Sequence, residues 1–133
     1  MVKDNCVFCK ILRGEIPSYK IYEDEHTFAF LDIAKDVDGH TLVIPKAHHE
    51  NIPSETYACV MDTVKMLANH YVENCGYEGV NILNASGKAA GQTVFHLHFH
   101  LFPRKSNDKA DLCPKNQTST ISLEEMHSQL KIK

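Results

Sequence analysis

The sequence has no apolar run approaching the roughly 18 residues of a membrane span, and none is long enough for a secretory signal near Met1-Val2-Lys3-Asp4-Asn5-Cys6. Runs of like charge are missing too. Fourteen basic residues stand against 17 acidic ones, a net charge of −3, which argues against a general electrostatic grip on nucleic acid and leaves room for one locally positive pocket. No membrane or nucleic-acid partner is therefore expected. The five cysteines, Cys6, Cys9, Cys59, Cys75 and Cys113, are an odd number without a signal. That argues against a disulfide framework and for a reducing, cytoplasmic compartment. Internal repeats, low-complexity tracts and linkers are also lacking, so 133 residues read as one domain spanning 1–133, with a core over 6–104 and a tail over 105–133. A chain of this length buries around two-thirds of its unfolded surface and needs no staple.

What is present alternates between strand and helix signals. Val7 to Leu12 suits a short helix stopped by Gly14. Tyr19 to Tyr22 and Thr27 to Ile33 are aromatic and β-branched and read as a hairpin broken near Glu23-Asp24. Asp38-Gly39 then turns the chain into a third strand, Thr41 to Ile44, ended by Pro45. Ser54 to Tyr71 is the long helix, with Tyr57, Val60, Met61, Val64, Leu67 and Tyr71 at three- and four-residue steps and Ser54 as N-cap. Val80 to Leu83 and Val94 to Phe102 complete five strands, the last stopped by Pro103, and a weak helical pattern lies around Leu123 to Leu130. Short turns with one packed helix imply an α+β class and an antiparallel sheet.

The chemistry concentrates in His96-Leu97-His98-Phe99-His100-Leu101. In a strand the three histidines share one face, roughly 6.5–7 Å apart, while Phe95, Leu97, Phe99 and Leu101 face the core. Such a row can be a polar solvent face, a zinc site, or phosphoryl chemistry with one imidazole as nucleophile and its neighbours as donors or acids. The loop Asn84 to Thr93 decides for the third reading. Its glycines let backbone N–H groups approach an anion, and Gln92 and Thr93 add side-chain donors beside the histidines.

At Gly91-Gln92-Thr93-Val94-Phe95-His96-Leu97-His98-Phe99-His100-Leu101-Phe102 the sequence resembles the histidine-triad (HIT) family, specifically its bacterial-type nucleotide-binding branch. Phe8-Cys9-Lys10-Ile11, Gly14-Glu15-Ile16-Pro17, Ala29-Phe30-Leu31-Asp32-Ile33 and Gly39-His40-Thr41-Leu42-Val43-Ile44-Pro45-Lys46 extend the likeness. The resemblance implies a HIT-like fold, a five-stranded antiparallel sheet with one long and one short N-terminal helix. It implies that His98 attacks an α-phosphorus to form a nucleotidyl-histidine, with His100 facing phosphate and leaving group and His96 completing the catalytic triad. Gly91, Gln92 and Thr93 would hold the phosphate. Asp32 matches the acid on the ribose hydroxyls, or is a turn former. Val7, Phe8, Ile11, Ile16, Phe30 and Ile33 match positions that sandwich the base, or are plain core. Ala85 stands where many relatives have asparagine or glutamine, and Asn84, one step earlier, is its substitute, although alternation points that side chain to the other face. There is no tryptophan, so the leaving-group preference of animal relatives does not transfer.

The pair Cys6-x-x-Cys9 lacks a thioredoxin-like setting, so redox chemistry is disfavoured. Family likeness makes Cys6, Cys9, His48 and His96 a structural zinc site, with His49 as the neighbour of His48. The other reading is two thiols packed as small hydrophobes. No catalytic metal is expected. The function implied is hydrolysis of purine nucleoside phosphoramidates or related nucleoside monophosphate conjugates. The competing readings are a diadenosine polyphosphate hydrolase, a non-catalytic nucleotide-binding regulator and a three-histidine zinc hydrolase. Relatives imply a homodimer through Ser54 to Tyr71 and Val80 to Leu83.

Overall fold

The structure is a computed structural model that describes residues 5–34, 36–51, 56–112 and 116–132. Five strands, β1 Lys20–Glu23, β2 Thr27–Leu31, β3 Thr41–Pro45, β4 Gly79–Leu83 and β5 Phe99–Arg104, form one antiparallel sheet in the order β1-β2-β3-β5-β4. Helix α1 spans Val7–Leu12, α2 spans Tyr57–Asn74 and α3 spans Leu123–Leu130. No described helix is long and apolar enough to cross a membrane.

Alternation along the strands sorts two cores onto the two faces of the sheet. Ala29, Val43, Leu97, Phe99 and Leu101 pack against Val60, Val64, Leu67 and Tyr71 of α2. Two hydroxyl pairs sit in that layer, Thr27 Oγ1 with Thr63 Oγ1 at 2.7 Å and Thr41 Oγ1 with Tyr71 Oη at 2.6 Å. Buried hydroxyls are placed there without penalty because each satisfies the other. On the opposite face Phe28, Phe30, Leu42 and Ile44 pack against Cys6, Phe8 and Cys9 of the α1 segment. Cys6 caps α1 by accepting from the Cys9 N–H at 3.4 Å, and Gly14 takes φ +79 to turn the chain away from the helix, as its position predicts.

The boundaries differ from the sequence expectation where tertiary pairing decides them. The last strand begins at Phe99 and not at Val94. The β3 ladder reaches only the Val43–Phe99 pair and the β4 ladder only Leu83–His100, so residues 94–98 have no strand beside them. Leu97 N–H bonds the His49 carbonyl instead. Pro103 does not stop β5, which runs on to Arg104. It stands past the last residue bonded to β3, where β5 has only one neighbour. β2 ends at Leu31, before Asp32 and Ile33. α2 runs past Tyr71 to Asn74, starting after Thr56, and the proposed Ser54 cap lies outside the described residues. The faint helical pattern near the end does form α3, with Ser122 as its cap.

Candidate functional site

β5 is the middle strand between β3 and β4, and His100 pairs with Leu42 and Leu83. Cross-strand partners share a face, so His100 lies on the α1 side of the sheet. His98 follows at two residues' distance, its ring 5.0 Å from that of His100. Leu97, Phe99 and Leu101 are buried on the α2 side as alternation predicts, but Phe95 is 42% exposed. Tyr57 in the first turn of α2 already meets Phe99, so α2 does not reach as far as Phe95.

The three histidines do not address one ligand together. His96 is wholly buried, with Nε2 bonded to the Pro45 carbonyl at 2.8 Å and Nδ1 lying 3.4 Å from Cys6 Sγ and 3.5 Å from Cys9 Sγ. Both ring nitrogens of His96 thus face groups of the protein, the Pro45 carbonyl on one side and the two thiols on the other. Burial pushes its imidazole down to about 4, which keeps it neutral.

Cys6, Cys9, His48 and His96 bring four ligand atoms within 4.8 Å of one another, and Cys9 Sγ lies 3.4 Å from His48 Nδ1. Tetrahedral zinc bound by sulfur and imidazole nitrogen separates those atoms by about 3.5 Å. The donor set and spacing therefore fit such an ion. His96 shows the tautomer a metal needs, Nε2–H on a carbonyl and Nδ1 bare toward the thiols. The ring facing Cys9 is that of His48, while His49 supplies its carbonyl to Leu97. A second group, Asp32, His40 and His100, also gathers ligand-type atoms, but its two ring nitrogens bond each other at 2.9 Å.

His98 is 6% exposed, and its Nδ1–H donates to the His96 carbonyl at 2.7 Å. Nε2 therefore carries the lone pair. Burial lowers the imidazole pKa, so the ring is neutral near pH 7, as a nucleophile requires. Phe8 sets its edge against this ring, the centroids 5.1 Å apart and the planes at 85°. The Asn84 amide donates to the His98 carbonyl at 2.9 Å and is itself held by the Ser86 hydroxyl at 2.7 Å. β4 ends at Leu83, so strand alternation does not govern Asn84. Its side chain is thereby tied to the backbone of His98.

Gln92 is likewise bonded within the protein. Its Nε2 donates to the Glu50 and Val94 carbonyls and its Oε1 accepts from Gly87 N–H at 2.8 Å, so the carboxamide ties the loop together and holds no donor toward a phosphate. Gly91 takes φ +91 and spends its N–H on the Lys88 carbonyl at 3.0 Å, while Thr93 is exposed. Phe8 and Phe30 are buried edge to face at 5.7 Å, Ile11 packs on their cluster, Ile16 is half-buried, and Ile33 is 91% exposed. In this state the aromatic pair is core, and Ile33 stands as a lip. Asp32 lies at the end of β2, accepting from the Ala34 N–H and lining a cleft of about 550 Å³ with Ile33, Asp36, His40, Tyr77 and Lys105. A smaller cleft of about 350 Å³ lies between Cys6, Val7, His48, Thr93 and Phe95.

His40 and Asp36 carry no role in the sequence reading. His40 is 4% exposed, stacks on Phe102 at 4.2 Å, and bonds His100 Nδ1 through its own Nε2. Asp36 takes its other nitrogen at 3.0 Å. Only the four-residue spacing of Asp36 and His40 ahead of β3 hints at the pair. Burial, with His98 and His40 beside it, pushes His100 down to about 4.

Comparison with known proteins places this arrangement. Residues 13–107 match the HIT domain family. The chain is 38% identical over 134 residues to the Saccharomyces cerevisiae adenosine 5'-monophosphoramidase HNT1, covering 96% of this chain and 82% of that one. It is 37% identical over 132 residues to the Arabidopsis thaliana adenylylsulfatase HINT3, covering 97% and 67%. The crystal structure of SMU.412c from Streptococcus mutans superposes with a TM-score of 0.82 at 39% identity, covering 96% of this chain and 82% of that one. A zinc-bound histidine triad family protein from Mycobacterium smegmatis superposes with a TM-score of 0.75 at 40% identity, covering 85% and 84%. The chain belongs to the HIT domain family, and its close relatives include nucleotide hydrolases.

Proposed function

We propose that the protein hydrolyses purine nucleoside phosphoramidates or related nucleoside monophosphate conjugates through a nucleotidyl-His98 intermediate. The observation that carries this reading is the set of contacts on His98. A buried, neutral imidazole has one nitrogen pinned to a backbone carbonyl and the other left bare beside His100. Nε2 attacks the α-phosphorus, the P–N bond breaks, and the departing nitrogen takes up a proton from water. A second water then attacks the same phosphorus as the N–P bond to His98 breaks, and it gives one proton to His100, which passes it to the hydroxide left by the first water. The Thr93 hydroxyl, beside the turn at Gly91, holds a phosphate oxygen, where such a donor is worth several kcal/mol. Asp32 holds the ribose, and Ile33, Ile11 and Ile16 border the base beside Phe8 and Phe30. The names of the yeast and Arabidopsis relatives support an adenylyl group over a dinucleotide polyphosphate.

Cys6, Cys9, His48 and His96 hold a structural zinc ion, which ties α1 to the segment before β5 and takes no part in bond breaking. The domain spans the whole chain, with its core over 6–104. It pairs as a homodimer through α2 and the edge strand β4, where Met66, Val72, Ile82 and Leu83 are exposed apolar residues.

The test is release of AMP from an adenosine phosphoramidate by the native chain and by His98→Ala, each with and without chelator. Turnover that survives chelator and falls at least about 10³-fold in the variant, with AMP still bound, supports the reading. Turnover lost to chelator while the fold persists overturns it in favour of metal-dependent hydrolysis. Bound AMP without native turnover overturns it in favour of a binding protein.

A further inference from the structure

We infer that Asp36 is a positioning residue, whose carboxylate sets the tautomer of His100 through the intervening His40. Two contacts run in series, Asp36 Oδ1 to His40 Nδ1 at 3.0 Å and His40 Nε2 to His100 Nδ1 at 2.9 Å, and the two histidine rings lie 5.1 Å apart between centroids. Neither ring is free to turn. His40 is stacked on Phe102 at 4.2 Å with 29° between planes, and His100 is stacked on the same ring at 5.7 Å with 9° between planes. Asp36 is held as well, because its Oδ1 also accepts from the Val37 N–H at 2.8 Å.

An ionised carboxylate only accepts hydrogen bonds. The proton of a neutral His40 must then sit on Nδ1, which leaves Nε2 bare. The 2.9 Å contact between two ring nitrogens needs one hydrogen, and His100 Nδ1 supplies it. His100 is left with a lone pair on Nε2, so it accepts a proton and does not donate one. Asp32 does not reverse this order, since its Oδ2 lies 3.8 Å from His40 Nε2, outside hydrogen-bonding distance. His98 reaches the same outcome by a different route, its Nδ1–H being held by the His96 carbonyl. The two imidazoles therefore both carry bare Nε2 atoms, one suited to attack phosphorus and the other to take the proton of the attacking water.

The catalytic consequence rests on the proposed hydrolysis, whereas the tautomer does not. The experiment therefore reads both. Histidine-¹⁵N-labelled native protein and Asp36→Asn are compared at pH 8, where an ordinary imidazole is neutral, by long-range ¹H–¹⁵N spectra that distinguish Nδ1–H from Nε2–H. The inference predicts Nδ1–H on His40 and His100 in the native chain, and a loss of that form at His100 in Asp36→Asn, whose amide can donate to His40. With an adenosine phosphoramidate, kcat falls about tenfold or more and KM stays within about twofold, the pattern of a misplaced proton and not of lost binding. Asp36→Glu restores part of both signals. Nε2–H on His100 in the native chain, an unchanged His100 pattern in Asp36→Asn, or a reversed pattern with unchanged kcat each overturns the inference. An absence of native turnover overturns the hydrolytic reading alone, because the spectra still report on Asp36.

Discussion

At the scale of single residues, the site is controlled by which atom of each imidazole is already bonded. His96, His98 and His100 are chemically identical, yet one faces two thiols, one bonds its own backbone and one bonds another histidine. Burial also depresses two of them well below the ordinary imidazole value of 6.5, His96 and His100 to about 4 each. The stability consequence has a definite sign. Between about pH 6.5 and pH 4 the unfolded chain binds these protons and the folded chain does not, so ν for the unfolded state exceeds that of the native state and stability rises with pH. We expect the Tm of the metal-free protein to fall as the pH is lowered through that window, with uptake of up to about two protons on unfolding. Calorimetry across pH 4–7 checks it, and a flat Tm contradicts it. The sequence supplied the spacing of the three histidines, and with it the burial of Leu97, Phe99 and Leu101. It could not supply the partition of roles, because that depends on Pro45, Cys6, Cys9 and His40, which are all at least fifty residues from the triad.

At the scale of elements, α1 is a six-residue helix, too short to hold its shape by backbone hydrogen bonding alone. It persists because Phe8 and Cys9 are buried against β2 and β3, and because its capping Cys6 belongs to the Cys6, Cys9, His48 and His96 cluster. A bound ion adds its binding free energy to the folded state. We expect Cys9→Ala to abolish zinc stoichiometry and lower Tm by several degrees, with added zinc restoring stability to the native chain but not to the variant. Metal analysis beside thermal melts decides the matter, and equal Tm values with and without zinc would contradict it. The long helix and the first strands were legible from period alone. The last strand was not, because an alternating pattern reads as strand throughout, whereas only Phe99 to Arg104 find partners on β3 and β4. The preceding residues are held by side chains and turns, among them Asn84 and Gln92.

At the scale of the whole molecule, two layers of apolar packing leave one end of the sheet for chemistry and the chain beyond β5 largely outside. Arg104 bonds Asn81, Asp108 and the Ala110 carbonyl, which ties down the chain leaving β5. α3, by contrast, has no buried residue, and Leu123 and Leu130 are 85% and 75% exposed. Removing residues 116–133 is expected to change Tm by less than about 2 °C, since it uncovers little apolar surface. A larger loss would show that the tail packs in the assembled protein. The fold class was readable because residue type, period and turn chemistry agree from Val7 to Leu83. The cleft beside Asp32 and His40 was not, because it forms only where the β2–β3 connection meets Tyr77 and Lys105.

Bond cleavage through His98 is tested by acid-free rapid quench of the native chain with an adenosine phosphoramidate, followed by peptide mass spectrometry. The expected product is a peptide carrying one adenylyl group on His98, formed in chelator as well as without it and missing in His98→Ala. Full turnover with no adduct on His98, or an adduct on another residue that persists in His98→Ala, would contradict it.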